Sequence, residues 1–140
     1  MHTETLARLI FGLATTMAIP CPPALAATPA DQQMRFDAEL RAGGIPSDGF
    51  SAQRGEAFFN STHGREWSCS SCHTSNPLAA GKHATTGKPI APLAPAANPE
   101  RFRDSGVVDK WFRRNCNDIL GRPCTANEKG DVLQYLMSLK

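Results

Sequence analysis

The sequence predicts an all-α domain, and three observations carry that expectation. Capped, helix-length segments recur along the chain: Asp31 to Ala42, Ser51 to Asn60, Asp104 or Ser105 to about Leu120, and from Thr125 onward. No stretch shows convincing strand alternation, and there is no internal repeat. The segment from Pro77 to Pro99, with five prolines at 77, 89, 92, 95 and 99, has no helical period and reads as one long stiff loop.

The first residues read as a leader to be set aside. Arg8 gives a thin positive start, Leu9 to Ile19 is an uncharged apolar run, and Pro20, Pro22 and Pro23 break any helix ahead of Ala24-Leu25-Ala26. That layout is an export signal, residues 1–26, followed by one domain over residues 27–140. The apolar run is too short to remain across a bilayer, so the processed chain is expected not to span a membrane. Cys21 raises the alternative of a lipid anchor, but Pro20 before it makes a poor lipoprotein cleavage site.

Within the domain, Gly43-Gly44 ends the first helix and Pro46 to Gly49 forms a turn. The second helix sets Gly55, Phe58 and Phe59 on neighbouring turns. The last helix opens with Thr125 and Glu128, a capping box, and carries Val132, Leu133, Leu136 and Leu139 at core spacing. So small a domain gains from covalent or cofactor ties. The formal charge of +2 is no nucleic-acid footprint.

The cysteines indicate what those ties are. With Cys21 in the leader, four remain. Cys69-Ser70-Ser71-Cys72-His73 is the C-x-x-C-H pattern of covalent haem c attachment. Two thiols on one turn reach the two vinyl groups of one porphyrin, and the adjacent His73 offers its imidazole to the iron; the long proline-rich loop is expected to wrap against that porphyrin. Half of a zinc site is the competing reading, but no second close Cys/His pair is evident. A thioredoxin-like pair would need strand–helix alternation. Cys116 and Cys124 are expected to form a disulfide in an exported protein, across the turn-rich Asn117, Asp118, Gly121 and Pro123; a free reactive pair is the alternative.

The sixth position of the iron decides function, and several residues compete for it. Met34 and Met137 fall in terminal helices and read as packing residues. His63 sits beside Gly64, and His83 follows Gly81-Lys82 in the long loop. On the helix after Asp104, successive residues stepped at about 100° put Val108, Trp111, Phe112 and Ile119 on one face. Asn115 falls in the middle of that face, about 20° from Val108, while Asn117 falls opposite. An amide aimed into an apolar surface needs a partner, either backbone or iron.

Beyond these local readings, the chain resembles a known family. Cys69-Ser-Ser-Cys72-His73-Thr74, Thr86-Gly87-Lys88-Pro89-Ile90-Ala91-Pro92-Leu93-Ala94-Pro95, Arg101-Phe102, Arg114-Asn115-Cys116-Asn117, and Cys124 with Glu128-Lys129 resemble the monohaem cytochromes that include sphaeroides haem protein and cytochrome c-double-prime. The likeness runs from about Gly55 to the C-terminus. It implies a variant of the class I cytochrome c fold around one covalent haem. It implies a distal ligand at the residue before the first late cysteine, here Asn115, and a Cys116–Cys124 disulfide. Asparagine at that position resembles the sphaeroides branch, although Asn117-Asp118-Ile119-Leu120-Gly121 and Cys72-His73-Thr74 look more like the other branch. A dihaem cytochrome c and a membrane cytochrome b are the electron partners the resemblance implies.

The expected function is a periplasmic cytochrome whose sixth ligand is lost on reduction, opening the haem to dioxygen, nitric oxide or carbon monoxide. A closed six-coordinate shuttle, ligated by Met34, Met137 or His83, is the alternative. A peroxidase or nitric-oxide reductase is a third reading, but the sequence offers no dedicated acid–base pair for it.

Overall fold

The computed structural model describes residues 26–140. The leader expected at 1–26, with Cys21, lies outside the described residues apart from Ala26. Five helices and one minimal hairpin follow: α1 (Pro29–Ala42), α2 (Ala52–Asn60), α3 (Cys69–His73), β1 (Gly81–Lys82), β2 (Pro89–Ile90), α4 (Ser105–Leu120) and α5 (Ala126–Ser138).

Helix starts follow their caps. Ser51, Asp104 and Thr125 each accept a backbone N–H from three residues on, which fixes the starts of α2, α4 and α5 where the sequence put them. Helix α1 begins two residues before the expected Asp31. Thr28 and Asp31 form a reciprocal capping box there, and Pro29 occupies the first turn, where its missing N–H costs nothing.

Helix α5 is the centre of the packing. It buries Val132, Leu133, Tyr135 and Leu136 against α1 and α2. Phe36 and Leu40 of α1 meet Leu133, Ala126 and Val108 in one cluster; Phe59 of α2 meets Val132, Tyr135 and Leu136 in a second. Phe102 and Phe112 pack against both. The α2–α5 crossing is close because position 55 is glycine: a Cβ there would overlap the Asp131 carbonyl. The joint is clamped by Asp131, which accepts from Arg54 Nε at 2.7 Å, Arg54 Nη2 at 2.8 Å and the Ser51 amide at 2.7 Å.

The long proline-rich segment is ordered by its own hydrogen bonds and contains strands the sequence did not reveal. β1 and β2 pair antiparallel, Gly81 with Ile90 and Lys82 with Pro89. The amides of Leu93 and Ala94 both donate to the Pro77 carbonyl at 3.0 Å, folding the segment back on itself. A two-residue strand containing a proline shows no alternation, so the expectation of a featureless loop is corrected here. Among the described residues no helix is long and apolar enough to cross a membrane.

Candidate haem site

Helix α3 is one turn long, and its sequence explains it. Ser68 accepts from the Ser71 amide at 3.2 Å, while the Ser71 hydroxyl accepts from the Ser68 amide at 3.0 Å. This box holds a single turn that is too short to persist by propagation alone. Thr74, with φ at 61°, ends it. The turn presents Cys69, Cys72 and His73 to a cavity of about 560 Å³, within the usual range of ligand sites, roughly 300–1,000 Å³.

The surroundings of α3 are tight. Gly81 of β1 lies so close to the Cys72 carbonyl that a side chain there would overlap it. The Ala84 amide donates to Cys72 Sγ at 3.3 Å. Cys69 packs against the second core cluster, and burial pushes its thiol up to about 12. A thiol so held is no ready thiolate nucleophile, which disfavours the redox-pair reading. His73 stands by Phe59, with ring centroids 6.5 Å apart. Burial, and secondarily the charge of Arg101, lowers its pKa to about 4. The imidazole is therefore neutral at neutral pH, the form a metal needs. Among the described residues no group of three His, Cys, Asp or Glu side chains gathers, so the zinc reading gains no partners.

Helix α4 and the long segment complete the lining. Val108, Phe112 and Ile119 face the cavity as the periodicity predicts, and Asn115 lines it with them, half-buried. Trp111 lines it from the rim, 44% exposed, rather than from the interior. Among the described residues the Asn115 amide has no hydrogen-bond partner, so the backbone-bonded alternative is absent. Cys116, next to it, is joined to Cys124 in a disulfide with Cα atoms 5.5 Å apart. A covalent bond thus ties the end of α4 to the start of α5.

The other ligand candidates are placed elsewhere. Met34 is 64% exposed on α1, neither packed nor near the cavity, which corrects its reading as a core residue. Met137 packs against the first cluster, away from the cavity. His63 Nε2 lies 2.9 Å from the Phe58 carbonyl and its ring rests on Phe58. His83 does line the cavity, but its Nδ1 accepts the amides of Thr85 and Thr86, both at 3.2 Å. A neutral imidazole so engaged carries its proton on Nε2 and has no free lone pair there.

The proline-rich loop does wall the cavity as expected, through Ile90 and Leu93 with Arg101 just after it, side chains that the sequence did not single out. They come from the folded-back segment, where no periodicity marks a facing side. Two thiols, a neutral imidazole, apolar walls and an unpartnered amide fit a covalently attached haem.

Comparison with known proteins agrees. Residues 46–136 match the family model described as a domain of unknown function, DUF1924. The cytochrome c-type protein SHP of Cereibacter sphaeroides is 46% identical over 123 residues, covering 85% of this chain and 92% of that protein. Cytochrome c'' of Methylophilus methylotrophus is 46% identical over 88 residues, covering 60% and 61%. The structure of oxidised SHP, described as an oxygen-binding cytochrome c, superposes with a TM-score of 0.67 at 42% identity, over 81% of this chain and 99% of that one. The crystal structure of oxidised cytochrome c'' gives 0.69 at 36% identity, over 80% and 94%. The helical cytochrome fold, the motif and these relatives together assign the chain to the DUF1924 family, with SHP and cytochrome c'', as a monohaem c-type cytochrome carrying one covalent haem c.

Proposed function

We propose that this cytochrome is exported to the periplasm and transfers electrons through a haem whose sixth ligand is released on reduction. Cys69 and Cys72 hold the haem by thioethers, His73 is the proximal ligand and Asn115 the distal one. Bound haem supplies the one-electron chemistry and an iron site for a diatomic ligand.

The observation that carries the reading is Asn115: a side-chain amide on the cavity face of α4 with no hydrogen-bond partner among the described residues, in a chain closely related to an oxygen-binding cytochrome. An amide oxygen is a hard, weak donor, suited to ferric and poorly suited to ferrous iron. On reduction Asn115 withdraws, the cavity opens to dioxygen, nitric oxide or carbon monoxide, and the freed amide remains as a hydrogen-bond donor beside them. The closed-shuttle alternative draws no support from the placement of Met34, Met137 or His83. The leader-like layout of residues 1–26 supports export, and the electron partners proposed from the family resemblance are a dihaem cytochrome c or a membrane cytochrome b.

The ligand assignment is tested by the oxidised spectrum of Asn115→Ala and Asn115→His. The alanine variant is expected to take up added azide or imidazole faster than wild type, and the histidine variant to become low-spin and resistant to both. Identical spectra and uptake in all three proteins would remove Asn115 from the iron.

A further inference from the structure

Four cationic side chains line the cavity: Lys88, Arg101, Arg103 and Arg114. Arg103 is paired with Glu100 at 3.0 Å, Arg114 lies over the Trp111 ring, and Lys88 is exposed. Arg101 differs from all three. It is half-buried, and its guanidinium is tethered at two points: Nε donates to the Pro92 carbonyl at 3.0 Å and Nη2 to the Ala91 carbonyl at 2.9 Å. Among the described residues no carboxylate pairs with it.

Arginine keeps its proton under protein conditions, so it cannot neutralise itself when desolvated. A part-buried guanidinium with only neutral carbonyl partners calls for an anion. Among the described residues Nη1 has no hydrogen-bond partner. The backbone is also constrained at this point. Phe102 adopts φ of 65°, an outlier for a bulky residue, and packs against both core clusters. The segment is thus set by packing on one side of the Arg101–Phe102 pair and by two carbonyl tethers on the other.

We propose that Arg101 is a carboxylate-binding residue whose ligand is a propionate of the haem, an inference that rests on the haem reading above. Its planar fork would take the carboxylate oxygens, while Ala91 and Pro92 hold it in place. Arg101 is a positioning residue for the cofactor, and its loss leaves a carboxylate uncompensated.

The test is redox-difference infrared spectroscopy of the holoprotein with isotope-labelled haem carboxylates. In Arg101→Gln the label-sensitive carboxylate bands are expected to shift and the reduction potential to fall. In Arg101→Lys, which keeps the charge but not the fork, both move part-way. Arg103→Gln removes an equal charge at the rim and is expected to leave the bands at their wild-type positions. Unmoved bands in Arg101→Gln, with covalent haem and helical circular dichroism retained, would overturn the inference. If that variant yields no holoprotein, unmoved bands in Arg101→Lys overturn it equally. A wild-type protein without covalent haem would instead sink the underlying reading, so the two failures are distinguishable.

Discussion

The wall that carries Cys69, Cys72 and His73 is pinned from every side: Ser68 and Ser71 cap it, β1 presses on it through Gly81, and the Ala84 amide holds Cys72 Sγ. The wall that carries Asn115 is anchored mainly at its ends. Its start is tied to α1 by the bidentate Arg35–Asp109 pair and the Gln32–Ser105 hydrogen bond, and its end by the disulfide. Val108 and Phe112 supply its apolar contacts near the start, Phe112 edge-on to Phe36 at 5.8 Å. Asn115 lies past these contacts, one residue before the disulfide. The contrast separates two tasks. Under the proposed function, the ligand that stays bound sits on the clamped turn and the one released on reduction sits on the wall held by fewer contacts.

The comparison can be broken most severely on the clamped side. Cys69→Ser/Cys72→Ser is expected to abolish covalent haem altogether, read as loss of haem staining on a denaturing gel. On the yielding side, Cys116→Ser/Cys124→Ser is expected to cost about 2–3 kcal/mol, the loop-closure contribution of a short bridge. Chemical denaturation measures that cost. The same variant is expected to bind carbon monoxide at an altered rate, because the anchor beside Asn115 is gone; an unchanged rate would show that the disulfide does not restrain the ligand.

The α2–α5 joint backs the clamped wall: Phe59, Val132 and Leu136 line the cavity and Cys69 packs on their cluster. Gly55→Ala forces the helices apart at the Asp131 carbonyl and is expected to cost about 1–3 kcal/mol by overpacking, read by chemical denaturation.

The smallest effect concerns pH. Glu128 accepts from Arg122 at 2.7 Å and caps Thr125, and the Arg122 hydrogen bond foremost holds its carboxyl below the usual 4.5. A depressed folded-state pKa stabilises the fold above the unfolded value, and the gain is lost as pH falls through the folded one. Glu128→Gln should therefore be less stable than wild type by under about 1 kcal/mol at neutral pH, solvent screening included. The gap should close only below pH 4.5, as thermal melts across pH would show.

What was legible in the sequence follows from how local its cause is. The starts of α2, α4 and α5 were readable because one cap residue sets each. The inward placement of Asn115 was readable because helical period alone fixes it against Val108 and Ile119. The β1–β2 hairpin was not, since its position depends on Gly81 meeting a carbonyl of α3. Arg101 was visible only as part of a family motif; its place at the cavity comes from carbonyls nine and ten residues away. Met34 was misjudged because helical spacing does not say which faces of a terminal helix remain uncovered.

The proposed function turns on release of Asn115 when the haem is reduced. Adding carbon monoxide to the reduced holoprotein and recording the optical spectrum tests it most directly. A rapid shift to a carbon monoxide adduct spectrum is expected. A reduced low-spin spectrum indifferent to the gas would contradict it and leave a closed electron carrier.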